Sequence, residues 1–234
     1  MKRYIAIGCF SVALMPSLET NAAWLGKGIY LNLTGGYSQT SGKLKPETDF
    51  KIGNDTIGDV VEKNDNKAGF LTMLALGHKA SFGKGHFSGG LTVSYDTSKA
   101  QVGQLDATAP DNPTWGTVAN TSYKLMYEPR FGVGVGARAG FYFTPSVLGY
   151  IRLGVDFNFG KVILNAPKKK HYDSIKVWYL SPGVGLEGQL NDKTSWIAAF
   201  DYKFAFSVSK YNQTSQFLNK PKTYVFRAGI SYHF

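Results

Sequence analysis

Five cations, Arg130, Arg138, Arg152, Lys203 and Arg227, and five carboxylates, Asp96, Glu128, Asp156, Glu187 and Asp201, fall on the polar side of segments whose other side carries Phe, Tyr, Leu and Val. Opposite charges gathered on one face of a narrow structure have two uses. They pair into a polar plug that fixes strand register, or they line a gated path for ions. The plug is the expected use, because ionised groups in a tight interior must find partners or carry a heavy desolvation cost.

A second cluster is basic. Lys168, Lys169, Lys170 and His171 stand in "GKVILNAPKKKHYDSIK", with Lys161 and Lys176 nearby and Asp173 as the local anion. Such a field suits phosphates of lipopolysaccharide or acidic glycans on a host surface. Residues 41–66 mix Lys43, Lys45, Lys51 and Lys63 with Glu47, Asp49, Asp55, Asp59, Glu62 and Asp65, which reads as a solvated mobile loop. Nothing there matches the twelve-residue calcium loop.

Catalytic chemistry has one candidate. His171, Asp173 and Ser174 are close in sequence, and a lipid A hydrolase would need a nucleophile, a base and an orienting acid. Adjacent strand residues point to opposite faces, so Ser174 cannot share a side with Asp173 on a regular strand, and no enzyme is expected. His78, His86, His171 and His233 are scattered without ligand spacing, so neither metal nor cofactor is expected.

The elements that must hold these groups are strands. Aromatics make up 15%, glycine 27 residues and charged residues only 18% of the 234, a blend suited to strands and tight turns. Period-two alternation runs through eight segments. In "TYVFRAGISYHF", Tyr224, Phe226, Ala228, Ile230, Tyr232 and Phe234 oppose Val225, Arg227, Gly229, Ser231 and His233. In "YKLMYEPRFGVGVGARAGFYF", Tyr123, Leu125, Tyr127, Phe131, Val133 and Val135 fall together, opposite Glu128, Arg130 and Arg138. "AGFLTMLALGHK" is the least regular, with Leu71 and Met73 on the side that should be polar, so a bulge is expected there.

Connections alternate in length: residues 41–66, 81–85, 100–120, 144–146, 161–174, 191–193 and 209–221. Long, short, long, short is the connectivity of an up-and-down barrel with its tight turns at one end. Alternation fits both a soluble and a membrane barrel, and residue size decides between them. The polar side is crowded with Gly, Ser, Thr and Asn, which fit a narrow lumen, while the apolar side is bulky and needs room. The expected fold is therefore an all-β, eight-stranded, antiparallel, up-and-down transmembrane β-barrel.

The N-terminus supports export. Lys2 and Arg3, an apolar run from Tyr4 to Met15, and small residues at Ala22 and Ala23 have the anatomy of a cleaved signal. The run is shorter than the roughly 20 residues a spanning helix needs. Domains are read as 1–23, signal peptide, and 24–234, outer-membrane barrel. Cys9, the only cysteine, lies in the signal, so disulfide and thiol chemistry are not expected in the mature chain. The formal charge of +10 becomes +9 when Lys2, Arg3 and Glu19 are lost; export argues against nucleic acid as the partner of that charge.

The ending, with Ile230, Tyr232 and Phe234 at every second position, resembles the C-terminal signature of bacterial outer-membrane barrels. That resemblance implies recognition by the barrel-assembly machinery. The eight-segment layout and "GIYLNLTGGYSQ" resemble the OmpA-like, opacity-porin class of small surface proteins. No peptidoglycan-binding segment is expected. The resemblance implies a surface antigen or adhesin-like protein of Gram-negative bacteria acting through four external loops, with outer-membrane lipid and lipopolysaccharide as neighbours. A small gated porin is the alternative, and a lipid A hydrolase a further one.

Overall fold

The computed structural model describes residues 28–44, 47–52, 55–107, 121–165, 170–209 and 218–234. The expected signal segment lies outside the described residues, as do Lys168 and Lys169. Ten strand segments follow in order: β1 (Gly28–Leu44), β2 (Glu47–Ile52), β3 (Asp55–Phe82), β4 (Gly85–Asp96), β5 (Lys99–Ala107), β6 (Thr121–Thr144), β7 (Val147–Asn165), β8 (Lys170–Gln189), β9 (Thr194–Ser209) and β10 (Leu218–His233).

All ten belong to one sheet, and each described pairing is antiparallel. The main path runs β1-β10-β9-β8-β7-β6-β4-β3-β2, and β1 also pairs with β3. Leu33, for example, lies opposite Ile230 on one side and Leu74 on the other. Both edges of β1 are thus occupied, so its N–H and C=O groups find partners without water. The short connections do what their residues predict. Gly83 takes φ +58 in the β3–β4 turn, and the Asn191 side-chain oxygen accepts the backbone N–H groups of Lys193 and Thr194, each at 3.0 Å.

Alternation sorts the two faces. Leu33, Leu91, Ile151 and Phe226 are all more than half exposed, whereas Asp201, Arg227 and Lys79 on the opposite face are almost wholly buried. In water each such exposed side chain would forgo about 1.5–3 kcal/mol of burial. A sheet that hides its charges and displays an apolar band has the outer-membrane type of β fold. The band is aromatic along its upper margin, where Phe131 and Phe159 sit 6.1 Å apart and Phe157 packs on Trp178 at 4.7 Å.

Three expectations change. Among the described residues there are ten strand segments, β2 and β5 occupying stretches expected to be loop. Residues 41–66, expected to be mobile, are largely strand, and residues 161–165 and 170–174 continue β7 and β8. β3 and β6 reach 28 and 24 residues, far beyond the roughly 9–11 that cross a bilayer. Their outer parts carry an inward apolar layer, which rewards continued pairing.

The expected bulge in β3 is absent: its register against β1 is continuous from Ala68 to Lys79. Leu71 and Met73 simply face inward and pack with Val225. A bulge does occur in β6, where the register against β7 shifts between Pro129 and Phe131. Pro129 has no N–H to give the ladder, and proline is accommodated at such irregularities. The shift reverses the alternation. Tyr123, Leu125 and Tyr127 are buried while Phe131, Val133 and Val135 are exposed, although their spacing places all six on one side.

Candidate functional site

Alternation brings eight of the ten candidate charges to the buried face: Asp96, Arg138, Arg152, Asp156, Glu187, Asp201, Lys203 and Arg227. Seven of them form ion pairs. Arg227 Nε donates to Asp201 Oδ2 at 2.7 Å, and Arg152 Nη1 donates to Asp201 Oδ1 at 3.3 Å. Lys203 Nζ lies 3.2 Å from Asp156, whose Oδ2 also accepts from Ser181 at 2.6 Å. Arg152 Nη2 reaches the same carboxylate at 4.0 Å and so joins the two halves. Asp201 and Asp156 each meet two cations from different strands, so the network ties β7, β9 and β10 in one register.

The second centre is Glu187 on β8. Lys79 bonds its Oε1, Ser195 donates to it at 2.6 Å, and Arg138 approaches Oε2 at 3.9 Å. His233 Nε2 lies 3.4 Å from the same carboxylate. The Arg138 guanidinium sits 5.0 Å from the Tyr150 ring and 5.7 Å from that of Tyr30, contacts that compensate a buried cation. Lys79 escaped the sequence reading because the irregularity suspected in β3 obscured its parity. It shares the inward set with Leu71, Met73 and Ala75, and that spacing was the available signal.

Glycine makes the space. A Cβ at Gly134 would collide with Asp156 Oδ1, and one at Gly183 would collide with Asp201 Oδ1. Both glycines face inward, where an alanine methyl would displace a carboxylate from its cations.

Asp96 stands apart from the salt bridges. Its Oδ1 accepts from Ser38 Oγ at 2.6 Å and from the Ser98 backbone N–H at 2.8 Å. Thr40 bonds Ser98 at 2.7 Å and Thr223 at 3.0 Å, extending a hydroxyl cluster across the same level. Beyond it the buried face turns apolar. Ala100, Val102, Leu105, Leu125, Val162, Leu164, Ile175 and Val177 pack together with Tyr123, Tyr127, Tyr179 and Ala205. Within this layer Tyr127 Oη and Tyr179 Oη lie 3.0 Å apart, so two buried hydroxyls are satisfied against each other.

Glu128 and Arg130 correct the sequence reading. Because the β6 bulge intervenes, they lie on the outer wall, where Glu128 is buried beneath its two cations and Arg130 is partly exposed. Glu128 takes Lys99 Nζ at 2.7 Å and Arg130 Nη2 at 2.8 Å. They stand beyond the apolar band. Burial tends to raise the Glu128 carboxyl, but the Lys99 and Arg130 cations outweigh it, so the group sits below its ordinary range.

Lys170 opens β8 and His171 follows it. Asp173 is buried and Ser174 exposed, so strand alternation separates the nucleophile and acid of the suspected triad. Ile230, Tyr232 and Phe234 are on the outward face, with the Tyr232 and Phe234 rings 5.0 Å apart and near perpendicular. Among the described residues, no group of three or more His, Cys, Asp or Glu side chains is set to hold a metal ion.

This arrangement defines a class, a small antiparallel all-β protein of outer-membrane type. No family model and no curated protein matches the chain. Solved structures similar to it include Neisserial surface protein A, at TM-score 0.48 and 11% identity over 89% of this chain and 99% of that one. Another is Ail, the attachment invasion locus protein of Yersinia pestis, in complex with the heparin analogue sucrose octasulfate. Its TM-score is 0.40 and its identity 16%, over 87% of this chain and 99% of that one. OprG from Pseudomonas aeruginosa has TM-score 0.40 and 14% identity over 88% and 96%.

Proposed function

We propose that the chain is a non-enzymatic surface protein of the bacterial outer membrane. In this reading eight strand paths close into an up-and-down barrel, with β2 and β5 extending its outer rim. Residues 1–23 are a cleaved signal, and Ile230, Tyr232 and Phe234 are read by the barrel-assembly machinery. The barrel acts through its external loops as an antigen or adhesin, with Lys168, Lys169, Lys170 and His171 meeting lipopolysaccharide phosphates or acidic host glycans.

One observation carries the proposal: an outward band of Leu, Ile, Val and Phe surrounds a buried network of Arg, Lys, Asp and Glu. That inversion of a soluble protein is stable where lipid replaces water. The test is heat-modifiable migration on a gel together with surface proteolysis. The protein should show both, with cleavage confined to the connections at the rim opposite the tight turns. A chain that stays folded and soluble without detergent would overturn it. For the loop role, K168A/K169A/K170A should weaken heparin retention, and unchanged retention would remove the glycan reading.

A narrow ion path is the second reading. Across the two ion-pair centres five cations, Lys79, Arg138, Arg152, Lys203 and Arg227, face three carboxylates, Asp156, Glu187 and Asp201, which favours anion passage. The apolar layer beyond them opposes it, since a dry constriction stops ions.

A further inference from the structure

We propose that a cleft on the outer wall, just above the apolar band, binds a phosphoryl group on the headgroup of an outer-leaflet glycolipid. This rests on the membrane placement argued above; Lys170 borders the cleft, opposite its lining residue Asn165 across the β7–β8 ladder. The cleft has a volume of about 360 Å³ and is lined by residues of β3, β5, β6, β7 and β8. That lies within the range of about 300–1,000 Å³ typical of small-ligand sites.

Its charge is the first argument. Lys67, Lys99, Lys124 and Arg130 line it with a single carboxylate, Glu128. Glu128 is already held by Lys99 and Arg130, while no described carboxylate pairs with Lys67 or Lys124. Lys67 and Lys99 are moreover direct partners in the β3–β5 ladder. Like charges opposite each other across strands are destabilising, and an anion between them converts that repulsion into attraction.

Position selects the ligand. Arg130 immediately precedes Phe131, whose ring belongs to the upper margin of the band. Lys124 lies six residues further out, about 20 Å along a strand at ~3.4 Å per residue. Lys67, Lys99 and Arg130 therefore stand at the headgroup zone, which adds about 5–8 Å to each side of the hydrocarbon, and Lys124 reaches down to it from above. The floor is apolar where Met126 and Ile163 pair across β6 and β7, with Tyr172 next in the row. Charged walls over such a floor suit a phosphorylated sugar, whose ring faces pack while its phosphate meets the ammonium groups. A free ion would use the charges and leave the floor bare.

The test uses the full mature protein folded in detergent, titrated with fluorescent lipid A carrying both phosphates and with the same lipid dephosphorylated. Diphosphoryl lipid A should bind about tenfold or more tightly than the dephosphorylated form, the scale of one charge-assisted contact. K67A/K124A should abolish that preference and K67R/K124R should retain it. Equal affinity for the two lipids, or an unaltered preference in K67A/K124A, overturns the proposal. Displacement by equimolar inorganic phosphate also overturns it, showing capture of a free anion. Heat-modifiable migration of every variant is read in parallel. Its loss in the wild type would sink the membrane reading, whereas normal migration without phosphate preference sinks only the cleft.

Discussion

The buried face has two halves filled by opposite chemistries. The half beside the tight turns and the apolar band holds Arg152, Asp156, Asp201, Lys203 and Arg227 within salt-bridge distance of one another. The outer half holds Tyr123, Tyr127, Tyr179 and nine smaller apolar side chains. Both use the same alternation on the same strands. They differ in what they specify. Each ion pair has one partner geometry, so a slip of one residue strands charges and the network enforces register. Apolar contacts are directionless, so the outer layer tolerates repacking but excludes water along its whole thickness.

The largest effect should come from removing a shared anion. D201A strands Arg227 and leaves Arg152 only its 4.0 Å contact to Asp156, and leaving a buried charge uncompensated costs about 3–5 kcal/mol. The urea midpoint of the detergent-folded protein should fall accordingly, while D201N, which keeps hydrogen-bond acceptors, should fall less. Equal losses would mean that the carboxylate's charge, which both variants remove, rather than its shape and hydrogen bonds, holds this half together.

Removing bulk from the outer half should come next. Y127A opens a cavity in a fully buried cluster and should cost about 3 kcal/mol. It should also change conduction. The wild type is expected to be silent in planar bilayers, and Y127A to show brief openings that favour anions, because five cations face three carboxylates beneath the layer. A silent Y127A would place the seal elsewhere.

How much of this was legible follows the same division. Period-two spacing alone put Arg152, Asp156, Asp201, Lys203 and Arg227 on one side, because the β7–β8 and β9–β10 ladders that carry them run without a register shift. Pairing distances were not legible, since they depend on the stagger between strands. The outer layer was missed for a specific reason. Tyr123, Leu125 and Tyr127 share parity with Phe131 and Val133, and only the bulge at Pro129 sends the two sets to opposite faces. The "EPR" within a strand was the available clue. Leu71 and Met73 misled in the other direction: an apolar residue on the polar side suggested a bulge, when the interior itself becomes apolar at that level. Strand was likewise taken for loop at residues 161–165 because "KVILN" lies past the length a bilayer requires.

A subtler probe of the outer half is Y127F. It keeps the ring and removes one hydroxyl, leaving Tyr179 Oη without its 3.0 Å partner. The cost should be about 1 kcal/mol, with conduction still absent. Openings in Y127F would show that the hydroxyl pair, rather than the packed rings, closes the layer.

The smallest effect belongs to the pair on the wrong side of the wall. Glu128 is ion-paired like Asp201, but its partners Lys99 and Arg130 are 52% and 42% exposed. Water screens such a pair, so E128Q should cost only about 0–1 kcal/mol. Its pH dependence has a fixed sign. The folded carboxyl titrates below its ordinary value of 4.5, so its contribution is present above that value and disappears as pH falls through the lower, folded one. Wild type and E128Q should therefore differ at neutral pH and converge in acid. An E128Q loss as large as that of D201A, or a difference that grows on acidification, would return Glu128 to the buried network and undo the bulge that separates them.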